Sequence, residues 1–315
     1  MNITVLDKIS FTVGDIDLSC LSVLGNVSFY DVLSKEEVIT ACKNADIIIC
    51  NKTIFDKELI CSLPTLKYIG VTATGYNNID LDCAKKRNII VTNVPNYSTV
   101  DVAQHVFAFI LHYSNKVYAY DESVKKGDWL KSKTFCYFDK PLMELDGKTL
   151  GIVGYGDIGK RVAKIADAMG MKVIVYNRSK KEMPYTQVDK ETLFKESDFI
   201  SLHCPLNEET RYLVNKETLS YMKPTAVLIN TARGPVINEY DLRYALDNNV
   251  IAHALVDVLS IEPMQKDCPL IGAKNITFTP HIAWAPRETR QRLIDKVANN
   301  IKAFIDNCPI NVVNK

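Results

Sequence analysis

Three short segments carry side chains suited to proton transfer at a carbonyl, and each follows an apolar run of strand type. In Asn230-Thr231-Ala232-Arg233-Gly234-Pro235 an arginine stands just past the run Ala226–Asn230. A guanidinium there can grip a carboxylate through two parallel hydrogen bonds. In Asp257-Val258-Leu259-Ser260-Ile261-Glu262-Pro263 two acids flank a strand end. In Thr279-Pro280-His281-Ile282-Ala283-Trp284 one of only 5 histidines sits in a turn between a proline and a tryptophan. Imidazole changes protonation near neutral pH, so a histidine at a strand end suits an acid/base role. Each segment also has a bland explanation: a surface arginine, acids capping local turns, or a core histidine with satisfied nitrogens. The order Arg233, Glu262, His281, each after a strand, favours the chemical one.

A fourth segment is the run Gly151-Ile152-Val153-Gly154-Tyr155-Gly156-Asp157-Ile158-Gly159, which contains Gly154-x-Gly156-x-x-Gly159. An apolar stretch precedes it. A helical pattern follows, with Ile158, Val162, Ile165, Ala166 and Met169 on one face. Strand, glycine turn and helix in that order form a dinucleotide-binding fingerprint. The first glycine permits the turn, the second lets backbone approach a pyrophosphate, and the third lets helix and strand pack closely. The helix N-terminus then offers unpaired N–H groups and a partial positive charge. Lys160 does not make a P-loop, because the GxxxxGK[ST] spacing is absent.

The next strand ends at Tyr176-Asn177-Arg178-Ser179-Lys180. NAD-preferring proteins usually place an acid here, on the ribose hydroxyls. Asn177 removes the charge that would repel a 2′-phosphate, and Arg178, Ser179 and Lys180 can pair with one. NADP(H) is therefore the favoured cofactor, with NAD(H) possible.

The elements that must position these residues read as two alternating series. Early strands are expected at Ile3–Leu6, Val27–Tyr30, Asp46–Cys50, Lys67–Thr72 and Ile89–Asn93, with a capping-box helix starting at Ser34 and Glu37. A long apolar helix is expected over Val100–Tyr120, and an irregular aromatic stretch over Lys125–Met143. A six-strand series follows: Thr149–Val153, Lys172–Tyr176, Phe199–His203, Ala226–Asn230, His253–Val258 and Ile276–Thr279. A last helix, Arg287–Ile305, returns to the first series. Alternation of this kind implies βαβ units and parallel sheets.

Composition narrows the class. Of the 315 residues 47% are hydrophobic, ample for buried cores, and the formal net charge of +1 comes without basic or acidic blocks. No nucleic-acid footprint is expected, and no membrane partner, since no apolar run is long enough to span a bilayer. The 9 cysteines are scattered without a CxxC pair, which reads as reduced thiols in a cytoplasmic protein. Sequons at Asn26 and Asn51 are then chance matches. No bound metal is expected.

The glycine loop followed by Arg233, Glu262 and His281 resembles the D-isomer-specific 2-hydroxyacid dehydrogenases, over essentially the whole chain. Ser201-Leu202-His203-Cys204-Pro205-Leu206-Asn207-x-x-Thr210 and Val94-Pro95-x-x-Ser98-x-x-x-Val102-Ala103 strengthen the match. Val71-Thr72-Ala73-Thr74-Gly75-Tyr76-Asn77-Asn78-Ile79-Asp80, Ala103-Gln104-His105 and His281-Ile282-Ala283-Trp284-Ala285-Pro286 look most like the glycerate dehydrogenases, also called hydroxypyruvate reductases. The resemblance implies an α/β fold of two doubly wound parallel-sheet domains with a cleft between them. A flavodoxin-like substrate domain would span residues 1–99 and 287–315, and a Rossmann dinucleotide domain residues 100–286.

The resemblance also implies roles. Arg233 binds the substrate carboxylate and polarises the 2-oxo group, His281 donates the proton, and Glu262 orients His281 and favours its charged form. Thr74 and Gly75 hold the substrate carboxylate through backbone N–H groups. Asp257 meets the nicotinamide carboxamide. Val102, Cys204, Pro205 and Thr210 belong at the cofactor, as do Thr231 and Ala232 after the fourth strand of the second series, beside Gly154, Gly156, Asp157, Ile158 and Gly159. His105, His112 and His203 are expected to be packing residues. Phe135, Tyr137 and Trp284 are candidates for shaping the substrate pocket or for plain packing. The expected reaction interconverts a small 2-oxo acid, hydroxypyruvate or glyoxylate first, with its D-2-hydroxy acid. D-lactate-type and phosphoglycerate dehydrogenases are alternatives within the family, and a dinucleotide-sensing corepressor-like protein is one outside catalysis. A homodimer is expected, through Val100–Tyr120 and Trp129–Phe138.

Overall fold

The computed structural model describes residues 1–315 and divides into two compact units, residues 1–98 with 284–315, and residues 99–283. In the first unit the order is β1 (Asn2–Val5), α1 (Ser19–Ser22), β2 (Asn26–Phe29), α2 (Lys35–Cys42), β3 (Ile47–Cys50), α3 (Lys57–Cys61), β4 (Tyr68–Val71), α4 (Leu81–Lys86) and β5 (Ile90–Thr92). Every residue of β3 and β4 is buried, as expected for continuous apolar runs in a parallel sheet covered on both faces. The five strands pair in parallel in the order β2-β1-β3-β4-β5, the flavodoxin-like order. Helix starts are fixed by their caps: the Ser34–Glu37 capping box for α2, Asp56 for α3 and Asp80 for α4. Each satisfies N–H groups that a helix start leaves unpaired.

The second unit runs α5 (Thr99–Asn115), α6 (Val117–Lys125), β6 (Thr149–Val153), α7 (Asp157–Ala168), β7 (Lys172–Tyr176), β8 (Thr186–Gln187), α8 (Lys190–Glu196), β9 (Phe199–Leu202), α9 (Lys216–Tyr221), β10 (Val227–Asn230), α10 (Glu239–Asp247), β11 (His253–Val256) and β12 (Ile276–Phe278). Its strands pair in parallel in the order β12-β11-β10-β9-β6-β7-β8. Read from β8, this is the dinucleotide order 3-2-1-4-5-6 with one strand added.

Two sequence expectations change here. The sheet has seven strands rather than six. The additional β8 is only two residues long and has no buried position, so no apolar run announces it. The helix expected over Val100–Tyr120 is two helices, broken at Lys116, whose φ of 50° is left-handed. Neither Gly nor Pro marks the break.

The last helix, α11 (Arg287–Ile305), belongs to the first unit. Its Leu293, Ile294, Val297 and Ile301 share one apolar cluster with Ile3, Val5, Ile47, Ile49 and Tyr68. Trp284 packs on that cluster and meets Tyr97 edge-on at 6.2 Å. This contact draws residues 284–286 into the first unit, where the sequence boundary at Arg287 had left them in the second.

Candidate active site

The three motif glycines each answer a different steric demand. Gly154 has φ 95° and lies against the 203–204 backbone, where a Cβ would stand 2.8 Å from the Cys204 nitrogen. Gly159 lies under Gly154, and a Cβ there would stand 2.2 Å from the Gly154 carbonyl oxygen. Gly156 is different: nothing lies within 4 Å of its Cβ position. It opens α7 without a side-chain cap, so the first-turn N–H groups, including those of Asp157 and Ile158, are left for a ligand. This is a cradle that a side chain at Gly156 would fill.

At the end of β7, Asn177 is held on both sides. Its Oδ1 accepts from Tyr155 N at 3.3 Å, and its Nδ2 donates to the Ser179 carbonyl at 2.8 Å. Arg178 Nη1 pairs with Glu209 Oε2 at 2.9 Å on the surface. Lys181, absent from the expected set, turns back to donate to the Tyr155 carbonyl at 3.1 Å. Cys204 is buried beside Gly154. The Thr210 hydroxyl closes its own turn, donating to the Pro205 carbonyl at 2.6 Å and accepting from Asn207 N at 2.8 Å. Val102 is buried on α5.

After β10, Asn230 anchors the arginine loop. Fully buried, it accepts from Ala232 N at 3.0 Å and donates to the Arg233 carbonyl at 3.0 Å. Arg233 itself is exposed, with Nη1 on the Ala232 carbonyl at 2.7 Å. Thr231 Oγ1 is buried without a hydrogen-bond partner. A buried hydroxyl without a partner costs free energy. Gly234 abuts the Leu259–Ser260 peptide so closely that any side chain would collide with it. The arginine loop is thereby seated on the segment that carries Glu262.

That segment reaches the histidine directly. Glu262 Oε1 accepts from Leu259 N at 3.0 Å, and Glu262 Oε2 meets His281 Nδ1 at 2.6 Å. An ionised carboxylate only accepts, so Nδ1 carries the proton and Nε2 remains for other chemistry. His281 has φ 55°, a left-handed conformation rare outside glycine and found where surrounding structure enforces it.

The enforcing group is Asp257. Its buried carboxylate accepts from Thr279 Oγ1 at 2.5 Å, Ile282 N at 2.8 Å and Ala283 N at 3.0 Å, while its carbonyl accepts from His281 N at 2.8 Å. Asp257 therefore shapes the histidine turn, a role that sequence reasoning missed. His105 joins this cluster, with Nε2 at 3.0 Å from Thr279 Oγ1. Burial lowers its pKa. His203 pairs with Ser201 Oγ at 2.8 Å and burial lowers its pKa to about 3, which leaves it a neutral structural residue. Thr74 and Gly75 lie in the other unit, between β4 and α4, with Thr74 Oγ1 donating to the Val94 carbonyl at 3.0 Å.

A family model described as the D-isomer specific 2-hydroxyacid dehydrogenase, NAD binding domain, matches residues 107–283. The chain belongs to this family. Among its relatives, a hydroxypyruvate reductase of Blautia hydrogenotrophica is 43% identical over 324 residues, covering 100% of both chains. A glycerate dehydrogenase of Methylorubrum extorquens is 40% identical over 280 residues, 88% of each. Among solved structures, an acyclic imino acid reductase in complex with NADPH and D-Arg matches with TM-score 0.87 and 37% identity, over 99% of this chain and 100% of that one. This D-2-hydroxyacid dehydrogenase is thus an oxidoreductase that interconverts a 2-oxo acid and its D-2-hydroxy acid with a nicotinamide dinucleotide. No helix of the dehydrogenase is long and apolar enough to cross a membrane.

Proposed function

We propose that the enzyme reduces hydroxypyruvate or glyoxylate, to D-glycerate or glycolate, and prefers NADP(H). The observation that carries the mechanism is the 2.6 Å contact between Glu262 Oε2 and His281 Nδ1, which holds the imidazole in one tautomer with Nε2 free. The dinucleotide, held by the Gly154–Gly159 loop, supplies the hydride when bound. Arg233 binds the substrate carboxylate as a bidentate partner and polarises the 2-oxo group. His281 delivers the proton from Nε2 to the carbonyl oxygen, and in the reverse direction takes it back. Glu262 stabilises the charged imidazole at Nδ1. Thr74 and Gly75 are further donors to the substrate carboxylate. The orphaned Thr231 Oγ1 and the open space at Gly156 both support a dinucleotide in the second unit, with Ala232 and Asp257 in the loops beside it.

The NADP(H) preference is supported by Asn177, which puts no carboxylate at the end of β7, and by the exposed Arg178, Ser179 and Lys180 nearby. Glu209 competes for Arg178. A homodimer through the second unit is supported by the exposure of Leu130 (92%), Phe135 (89%) and Phe138 (77%) along one stretch of chain. Apolar surface of that kind is usually covered by a partner. Light scattering at the mass of two chains would agree with it, and a monomer would count against it.

The deciding assay follows loss of reduced-nicotinamide absorbance with hydroxypyruvate, glyoxylate and pyruvate, each with NADPH and with NADH. Highest kcat/KM for hydroxypyruvate or glyoxylate with NADPH is the expected result. Preference for pyruvate would replace the substrate assignment with a lactate-type one. Preference for NADH would overturn the cofactor assignment alone.

A further inference from the structure

In the first unit two thiols lie side by side on neighbouring helices. Cys61 closes α3 and is exposed, while Cys83 lies in α4 and is only 8% exposed. Their sulfurs are 3.9 Å apart. Several ties hold the helices in this relation. Both start from one short parallel bridge, Phe55 with Ile79, in which Phe55 N donates to the Asn78 carbonyl at 2.7 Å and Asp80 N to the Phe55 carbonyl at 2.9 Å. Arg87 from the end of α4 donates to the Ile60 carbonyl in α3. Cys83 Sγ also faces the Lys57 carbonyl at 3.9 Å. The pair is therefore a built arrangement of two thiols rather than a chance approach of two loops.

We infer that Cys61 and Cys83 are a peroxide-sensitive dithiol that closes to a reversible intramolecular disulfide. A disulfide needs sulfurs about 2.05 Å apart, so closure asks for under 2 Å of further approach, within reach of side-chain rotation at the exposed Cys61. The exposed Cys61 is the sulfur that a peroxide can reach. Cys61 gives up its proton, its sulfur attacks one peroxide oxygen, the O–O bond breaks, and the leaving hydroxide takes up a proton as one water while Cys61 becomes a sulfenic acid. Burial and the neighbouring Cys61 raise the Cys83 pKa and keep it a thiol until then. Cys83 sulfur next displaces the sulfenic oxygen as a second water, forming the S–S bond. The two cysteines lose two electrons and the peroxide gains them. A dithiol reductant reverses the step by exchange. The cross-link would fasten α3 to α4, at the start of which the Thr72–Asp80 loop ends. None of this depends on the reaction assigned to the second unit.

The test treats the full-length protein with stoichiometric hydrogen peroxide, alkylates remaining thiols after denaturation, and maps peptides by mass. The expected result is a Cys61–Cys83 cross-linked peptide pair lacking two hydrogens, removed by dithiothreitol and absent from Cys61→Ser and Cys83→Ala. In Cys83→Ala, peroxide should leave a sulfenic acid at Cys61 that a 1,3-dione traps. Should Cys83→Ala fold poorly, the exposed Cys61→Ser variant still carries the comparison. Both thiols remaining alkylatable, Cys61 passing directly to sulfinic acid in the wild type, or a disulfide between other cysteines would each overturn the inference.

Discussion

The contrast between Gly156 and Gly159 separates a glycine kept for the ligand from one kept for the fold. At Gly159 a Cβ would stand 2.2 Å from the Gly154 carbonyl oxygen. Ordinary contact distance is roughly 3.5 Å, so α7 or the β6 turn must shift by about 1 Å, and the opposing atom is backbone that cannot swing aside. Overpacking of this size costs about 3 kcal/mol, which for a unit this large lowers Tm by roughly 6–12 °C. At Gly156 a methyl group meets nothing within 4 Å. Alanine there gains up to about 1 kcal/mol from a less flexible unfolded chain and loses a comparable amount as a poorer N-cap. Stability should stay within about 1 kcal/mol of wild type. The same methyl group would hold a pyrophosphate off the first-turn N–H groups. Loss of even one charge-assisted hydrogen bond, about 1.5–3 kcal/mol, weakens dinucleotide binding roughly 10–150-fold. Differential scanning fluorimetry and fluorescence titration with NADPH on Gly156→Ala and Gly159→Ala give both numbers. An unchanged NADPH Kd in Gly156→Ala, or an unchanged Tm in Gly159→Ala, would refute the assignment of these two roles.

Three further outcomes are expected. Glu262→Gln keeps a side chain near His281 Nδ1 but removes the carboxylate that holds the imidazole in one tautomer, so kcat should fall with the NADPH Kd unchanged; an unchanged kcat would contradict the pairing. Arg178→Ala with Lys180→Ala should weaken NADPH far more than NADH, and Glu209→Ala, which frees Arg178, should tighten NADPH several-fold; equal effects on both cofactors would remove the phosphate argument. Burial lowers the pKa of His203 to about 3, while burial first, and then the Lys116 and His112 charges, lower that of His253 to about 4. Both histidines stay neutral in the fold while the unfolded chain takes up protons below about pH 6.5. Stability is therefore full above that pH and declines as pH falls toward the folded values, by up to about 2 kcal/mol per histidine at pH 5. His203→Gln, which keeps a partner for Ser201, should flatten the Tm-against-pH curve between pH 6.5 and 5, and an unchanged slope would contradict the effect.

What the sequence disclosed follows from how strongly each element is patterned. β3, β4, β9 and β10 are short, mostly apolar runs with every residue buried, and such runs are visible without coordinates. The bounds of β6, β7 and α11 coincide with those expected, because glycines or charged residues bracket them. β8 escaped because two residues without a buried position carry no period. The break at Lys116 escaped because apolar spacing continues across it. In the site, Arg233, Glu262 and His281 stood out by residue type and position. The work of Asp257 did not, since a carboxylate that satisfies a turn two dozen residues away leaves no local signal. Asn230 had a signal that went unused: an amide closing an apolar strand ahead of a loop favours local turn hydrogen bonds.

The most direct measurement of the central claim is the turnover of His281→Ala with hydroxypyruvate and NADPH, beside its NADPH Kd. Loss of a general acid held by Glu262 should lower kcat roughly 10²–10⁴-fold, with the Kd unchanged because the glycine loop is untouched. A kcat near that of the wild type would contradict the account.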